Sequence, residues 1–413
     1  MTIKSPVIVL GAGPGGATTA LFLAKAGIEC VLIDKAVFPR DKVCGDALSG
    51  KVVETMIKIQ PDLVEKLEKQ AVVTPCLGIE FVAPNSESLK MRFRDANIVL
   101  PTAPGYITTR IEFDHFLVKQ AKASPKIQVV EGCEIAQFEK QGQNWILSNA
   151  DKSQTFETPL VIVANGAHSQ FSKKVAGIAV EPRHYCAGLR AYYKGVEGFD
   201  ETNSIELHFL KEFLPGYFWI FPLGNGMANV GVGMRTDHVS KNKINLKKEM
   251  EHIIQNHPKI APRFKNAVVT DDIKGYGLPL GSKKRSLSGD GYMLIGDAGS
   301  LIDPFTGEGI GNAMWSGDLA AEQAVKAVQA NRYDAAFLAD YDKALYKKLG
   351  GELQLSYQLQ KLVHFPWLFN WFVRQANTNR ALREAMMGMF DNIDNRAQLK
   401  NPLFYLKILF NWT

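Results

Sequence analysis

The sequence predicts an α/β fold: a Rossmann-type nucleotide-binding domain with an inserted antiparallel β-sheet substrate domain and a helical C-terminal region. Three observations predict it. A glycine turn, Gly11-Ala12-Gly13-Pro14-Gly15-Gly16, sits between an apolar strand and a helix at the start of the chain. A second glycine-rich turn, Gly296 to Asn312, follows the apolar run Tyr292–Ile295 near residue 300. Between them, from about Tyr185 to Gly277, strand-like runs dominate.

At the N-terminus, Pro6–Leu10 reads as a buried parallel strand and Ala17–Ala26 as the helix after the turn. The glycines permit a tight turn and close approach of a pyrophosphate to the helix amides. Asp34, ending the next strand Cys30–Ile33, can accept from a ribose hydroxyl. This first motif does not separate FAD from NAD. The second does, because two glycine motifs in one domain suit a long cofactor gripped at both ends. Asp297 would accept from the ribityl hydroxyls of FAD, and the amides of Gly307 to Ile310 would face the pyrimidine edge of its ring. Read alone, Asp297 is an ordinary turn or N-cap residue.

After the loop Lys35–Asp46 a helix is expected near Ala47, then a hairpin, Leu77–Ala83 with Leu89–Phe93, outside the parallel sheet. A helix over Phe113–Ala123, strands near Gln128–Val130 and Trp145–Leu147, and a buried strand Leu160–Ala164 continue the nucleotide domain. The last of these ends in Asn165-Gly166-Ala167-His168-Ser169, a turn pointing back at the cofactor, where His168 reads as a turn or capping residue. Strands follow at Ala187–Tyr193, Ser204–Phe209, Tyr217–Phe221 and Ala228–Met234, interrupted by a helix over Asn245–Asn256. Helices are expected from Ile310 to about Gln329 and from Asp334 to Leu362. The resulting division places the discontinuous cofactor domain at 1–75, 105–180 and 285–330, the substrate domain at 76–104 and 181–284, and the helical region at 331–413.

Composition sets the class. With 413 residues, 46% apolar, the chain has ample material for a core. Five cysteines, Cys30, Cys44, Cys76, Cys133 and Cys186, are odd in number and lack CxxC spacing, which argues against a disulfide framework and a metal site and fits a reducing cytoplasm. The first strand begins too early for a signal peptide, and no apolar run reaches the length of a spanning helix. A net charge of +6 is spread out, and Lys283-Lys284-Arg285 reads as a solvated loop rather than a nucleic-acid patch. The tail after Phe365 is rich in Trp and Phe, with Arg374, Arg380, Arg383, Lys400 and Lys407 nearby. Two readings of it stay open: contact with the inner face of a membrane, or packing into a core or dimer interface.

Alternation places Tyr217, Trp219 and Phe221 on one face of a strand, either as core packing or as the wall of a lipophilic site. The segments Phe38-Pro39-Arg40-Asp41-Lys42-Val43-Cys44-Gly45-Asp46, Pro215 to Pro222, Asn229-Val230-Gly231 and Thr306 to Ile310 together resemble the geranylgeranyl reductase family, within the para-hydroxybenzoate-hydroxylase-like fold. The likeness spans roughly residues 5 to 325, with Tyr217 one position early against the family's aromatic motif. It implies FAD-dependent reduction of double bonds in prenyl-type lipids, with Cys44 and Gly45 beside the isoalloxazine and Tyr217, Trp219 and Phe221 walling the substrate. Arg110 resembles the family arginine near the flavin phosphates or ribityl chain, against a surface ion pair. The predicted cofactor residues are Gly11, Gly13, Pro14, Gly15, Gly16, Asp34, Lys35, Arg40, Cys44, Gly45, Arg110, Asp297, Gly307, Gly309 and Ile310. Cys44 is the candidate for chemistry, or else a small buried filler. The electron donor, NAD(P)H or a reduced carrier protein, stays open, because Asn165-Gly166 replaces the Asp-Gly of related hydroxylases. A flavin hydroxylase or halogenase is the alternative enzyme, though no clear WxWxIP element is present, and a non-catalytic flavin-binding protein is the alternative from another class.

Overall fold

The computed structural model describes residues 2–93, 102–379 and 382–383. Its organising element is a six-stranded sheet in the order 288–289, Tyr292–Leu294, Val161–Val163, Ile8–Leu10, Cys30–Ile33 and Ile127–Val130. All neighbours are parallel except the short antiparallel edge at 288–289. The central strands are buried along their whole length, which is why they read as continuous β-branched runs rather than as alternating ones. Helices Pro14–Lys25 and Ile310–Ala330 cross closely. Their contact needs small residues, since a Cβ on Gly317 would lie 2.6 Å from the Thr19 hydroxyl and 2.7 Å from the Gly15 carbonyl oxygen.

A second, eight-stranded sheet forms the other half of the molecule. Strands Tyr185–Lys194, Met227–Arg235, Tyr217–Gly224 and Ile205–His208 pair antiparallel, and Ile205–His208 continues parallel to Gly78–Val82. The hairpin Gly78–Val82 with Ser88–Arg92 thus completes this sheet, with Gly78 opposite Arg92 and Val82 opposite Ser88. Side-chain alternation divides it cleanly. Phe218, Ile220, Val230 and Val232 pack under helix Leu246–Asn256, whereas Trp219 and Phe221 belong to a separate core on the opposite face.

One local expectation gives way. Ala47–Leu48 is a short strand pairing with Tyr106–Ile107, and the helix begins only at Gly50. Asp46 adopts a left-handed backbone (φ 69°), which reverses the chain before it can turn helical. The strand expected at Trp145–Leu147 forms over Asn144–Ser148. It belongs to a four-stranded sheet of Thr2–Lys4, Thr155–Thr158, Asn144–Ser148 and Gln137–Gln141, whose Trp145, Leu147 and Phe156 pack onto the nucleotide core. Its edge strand, Gln-Phe-Glu-Lys-Gln, is mostly polar and carries little apolar signal.

The C-terminal helices tie the halves together. In helix Ala335–Leu362, capped by the Asp334 carboxylate accepting from the Phe337 amide at 3.0 Å, Leu338 to Leu353 join the nucleotide core and Leu359 joins the core beneath Trp219. Spanning both takes about 40 Å of helix. Helix Pro366–Thr378 then buries Phe369, Val373 and Ala376 in that second core while leaving Phe365 and Trp367 54% and 70% exposed. The tail therefore packs as core on one side of this helix and presents aromatics on the other. The aromatic run 403–412, with Arg380, Lys400 and Lys407, lies outside the described residues.

Candidate active site

An elongated cavity of about 550 Å³ runs between the carboxyl ends of the nucleotide strands and the aromatic face of the long sheet. Gly11, Gly13, Pro14, Gly15, Asp34, Lys35, Arg40, Cys44, Gly45, Arg110, Asp297, Gly307, Gly309 and Ile310 line it, together with Tyr217, Trp219 and Phe221. Gly16 sits one layer back. A Cβ there would fall 1.8 Å from the Gly11 carbonyl oxygen, so this glycine serves the tight turn itself.

At one end the helix starting at Pro14 opens on the cavity without a side-chain cap. Gly11 has φ +107°, and its amide donates to the Ile33 carbonyl at 2.6 Å, closing the turn against the next strand. Asp34 accepts from the amides of Ala12 (2.6 Å) and Ala36 (2.8 Å), which fixes its carboxylate beside the turn. Two guanidinium groups flank the helix end: a Cβ on Gly13 would lie 3.7 Å from Arg40 Nη2 and 3.9 Å from Arg110 Nη2. Both arginines share one fully buried carboxylate. Arg110 grips Asp114 in bidentate fashion at 2.6 and 2.7 Å, and Arg40 lies 2.6 Å from it. Arg110 is thus no surface ion-pair residue. Two cations on one anion leave a net positive charge at an open helix N-terminus, which suits a diphosphate.

At the other end Gly307 (φ +76°) and Gly309 precede helix Ile310–Ala330. Asp303 Oδ1 accepts from the amides of Phe305 and Thr306, and the Glu308 carboxylate accepts from Gly311 at 2.6 Å, so this turn is held from within. Asp297 carries an ion pair with Lys42 at 3.2 Å. The aromatic strand closes over these groups. Ring centroids of Tyr217 and Trp219 are 6.1 Å apart, and those of Trp219 and Phe221 6.3 Å. Two glycines make room for it: a Cβ on Gly45 would meet Phe221 at 2.8 Å, and one on Gly307 the Tyr217 hydroxyl at 2.7 Å.

The sequence missed the polar group behind Cys44. Asp46, which lines the cavity with its side chain buried, accepts at Oδ2 from Tyr192 (2.6 Å) and from Asn229 Nδ2 (2.8 Å). Asn229 Nδ2 also donates to the Cys44 carbonyl at 2.7 Å, and its Oδ1 accepts from Trp219 Nε1 at 2.9 Å. Burial pushes the Asp46 carboxyl up to about 6, against the pull of the Tyr192 and Asn229 hydrogen bonds. Burial also raises the Cys44 thiol, with Arg110 drawing it partly back, so the thiol is protonated at neutral pH. Asp114 was legible as the i+4 partner of Arg110. Asn229 stood in the segment Asn229-Val230-Gly231 that carries the family resemblance but had no role assigned there, and Tyr192 carried no signal, being one residue in a long strand. His168 lies exposed in its turn, edge-on to Tyr276 at 5.2 Å between ring centroids, and the helix cap is Ser169.

Residues 4–316 match the FAD binding domain family. The chain is 30% identical over 401 residues to the digeranylgeranylglycerophospholipid reductase of Methanocaldococcus jannaschii, covering 95% of this chain and 93% of the relative. Among solved structures, a geranylgeranyl bacteriochlorophyll reductase-like protein of Thermoplasma acidophilum superposes with a TM-score of 0.81 at 23% identity, covering 100% of this chain and 99% of the other. The flavin-dependent brominase Bmp2 has the same fold, with a TM-score of 0.78 at 21% identity over 98% and 99% of the two chains. The fold and cavity define an FAD-dependent oxidoreductase. Within that class, the chain belongs to the geranylgeranyl reductase family. The cavity fits the cofactor: the uncapped helix end and paired arginines await an anion, and Asn165 Oδ1, buried at the wall, has no partner of its own.

Asp46 gives the fold a pH signature. Its carboxyl has an ordinary value of 3.8 and rises to about 6 in the native chain, so the native state holds more protons between these values. The stabilisation from its protonation is fully present below 3.8 and is lost as pH rises through about 6, a change of about 3 kcal/mol. Urea unfolding of wild type and Asp46→Asn across that range is expected to show the variant gaining by about this amount relative to wild type as pH rises. A difference that does not vary with pH would mean that Asp46 titrates as an ordinary surface acid.

Proposed function

We propose that this chain reduces carbon–carbon double bonds in the prenyl chain of a lipid or similarly lipophilic substrate. The observation that carries the reading is that an aromatic face and a dinucleotide turn open on one continuous cavity. Three aromatic side chains in a row, tilted to one another at centroid separations of 6.1 and 6.3 Å along the cavity, suit a long apolar chain. The reductase name of the relative from Methanocaldococcus jannaschii supports the same choice.

In this reading the amides at Gly13 to Gly15, with Arg40 and Arg110, would take the FAD pyrophosphate, and Asp34 would accept from the adenosine ribose. Lys35 lies at that adenosine end. Asp297 would accept from the ribityl chain, and the turn Gly307 to Ile310 with Cys44 and Gly45 would hold the ring. When bound, the flavin supplies hydride, drawn from a nicotinamide or a reduced carrier protein. Tyr217, Trp219 and Phe221 exclude water and align the chain, and their π-faces stabilise positive charge developing on an alkene carbon. The Cys44 thiol, kept neutral by burial, holds a proton at Sγ on the cavity wall.

The exposed Phe365 and Trp367, in the first turn of a helix whose other side is core, would rest on a membrane surface from which such a substrate is drawn. Arg374 contributes little there, since it is paired with Glu87 at 2.6 Å. No helix among the described residues is long and apolar enough to cross a membrane.

Two measurements test these readings. Protein-bound flavin bleached by dithionite without oxygen is expected to reoxidise on adding a geranylgeranyl lipid. Trp219→Ala should weaken that lipid about thirtyfold, roughly 2 kcal/mol, with FAD content unchanged. Flavin loss in Trp219→Ala would instead show that the side chain supports the cofactor domain, and reoxidation by oxygen with soluble aromatics alone would favour a hydroxylase. For the surface contact, the protein is expected to co-sediment with anionic liposomes, and Phe365→Ser with Trp367→Ser to abolish it. Truncation at Leu362 is the poorer test because it also removes buried Phe369 and Val373. Equal sedimentation of the double variant would remove this turn from the contact.

A further inference from the structure

We propose that a monovalent cation, sodium or potassium, binds in a second cavity behind the turn at Gly307 and clamps that turn to the long C-terminal helix. The inference is independent of which substrate the main cavity takes.

The second cavity has a volume of about 30 Å³, room for an ion and one water-sized neighbour. Tyr217 and Gly307 line it as well as the main cavity, so it lies behind the wall of the candidate active site. Asp303 and Gln360 give it its polar character. They are 1% and 7% exposed, and each keeps one buried oxygen, Asp303 Oδ2 and Gln360 Oε1, that receives no hydrogen bond. An amide oxygen and a carboxylate oxygen both accept, so neither can satisfy the other. A cavity this small brings a single occupant within reach of both side chains.

Charge selects the occupant. Three donors converge on Asp303 Oδ1, the amides of Phe305 (2.9 Å) and Thr306 (2.8 Å) and the Thr306 hydroxyl (3.0 Å). No lysine, arginine or histidine among the described residues pairs with this carboxylate. Arg235 lines the same cavity but is engaged by Asp237 at 3.0 and 2.6 Å. Burying a carboxylate without a counter-charge is costly, and water alone would leave that charge unbalanced. The other ionisable groups on the cavity wall stay neutral: burial pushes the Cys186 thiol up to about 12 and raises the Tyr217 hydroxyl as well. One negative charge beside neutral oxygens balances one positive charge, whereas calcium sites gather several carboxylates.

The two oxygens come from elements that the fold must hold together. Asp303 precedes the turn that leads into helix Ile310–Ala330, and Gln360 lies in the last turn of helix Ala335–Leu362. Gln360 Nε2 already donates to the Pro304 carbonyl at 2.6 Å, so the cation adds a second tie at the same junction.

The experiment compares FAD-loaded wild type, Asp303→Asn and Gln360→Met in potassium, sodium or choline chloride at one ionic strength, which holds screening constant. An ion that binds only the native state raises Tm with its concentration. Wild-type Tm should rise by about 2 °C or more on replacing choline with potassium or sodium, and flavin release, read from free-FAD fluorescence, should slow. Asp303→Asn keeps the Oδ1 acceptor and offers an amide donor in place of Oδ2 while removing the charge. Its Tm and flavin release should therefore be the same in all three salts, whereas a carboxylate with a merely structural role would leave the salt dependence unmoved. Gln360→Met should shift the midpoint of the cation titration to about tenfold higher concentration. Crystals soaked in rubidium chloride should show an anomalous peak in this cavity. Equal wild-type Tm in the three salts, a wild-type salt dependence in Asp303→Asn, or no rubidium in the cavity overturns the site. Wild-type flavin release that is the same in all three salts overturns the clamp.

Discussion

The segment from residue 35 to residue 46 must be fixed against both sheets at once, and the site exists because it is. Arg40 reaches Asp114 on the nucleotide side, and Asp41 reaches Arg190 on the long sheet. Lys42 returns to Asp297, and Asp46 closes on Tyr192 and Asn229. Four consecutive polar attachments, alternating between the halves of the molecule, make one wall of the cavity from a segment with hardly any regular structure of its own. Exposed ion pairs contribute little to stability, but Asp114, Arg110 and Arg190 are buried, and removing one partner would leave a charge stranded in a poorly polarisable interior.

Apolar packing supplies the frame on which that segment is stretched. The nucleotide sheet and the aromatic sheet have separate cores, and helix Ala335–Leu362 contributes to both. Their relative placement therefore does not rest on the polar seam alone. Trp219 and Phe221 share a core with Phe209 of the same sheet, Phe369 of the C-terminal helix and Phe305 of the turn before Gly307, so the aromatic face is backed from three parts of the chain. The glycines at 45 and 307 stand where the aromatic strand comes close enough that a methyl group would collide.

Much of this was legible in the sequence where local physics dictates structure. The buried parallel strands, the glycine turn and its helix, the hairpin and the alternating aromatic face all follow from periodicity and backbone sterics. The helix expected at Ala47 failed because a single left-handed residue, Asp46, redirects the chain, and aspartate at such a φ leaves no pattern in its neighbours. The strand at Trp145 was legible, but its partners Thr2–Lys4, Thr155–Thr158 and Gln137–Gln141 were not, being short or, at the edge, mostly polar. Within the site, the residues that would touch the cofactor lie in contiguous motifs, whereas those that tune the chemistry do not. Asp46, Tyr192 and Asn229 come from three places in the chain and meet only after folding; two of them stand in segments that carry the family resemblance, but their joint hydrogen bonding was not legible there.

The central claim is that the cavity places an apolar chain against a flavin for reduction. Analysing the product of anaerobic turnover by mass spectrometry, with a digeranylgeranyl lipid and a chemical reductant, tests it most directly. The account predicts a gain of two hydrogens for each double bond consumed, with no oxygen incorporated and no oxygen required. A lipid recovered unchanged without oxygen, and gaining an oxygen atom when oxygen is admitted, would contradict it.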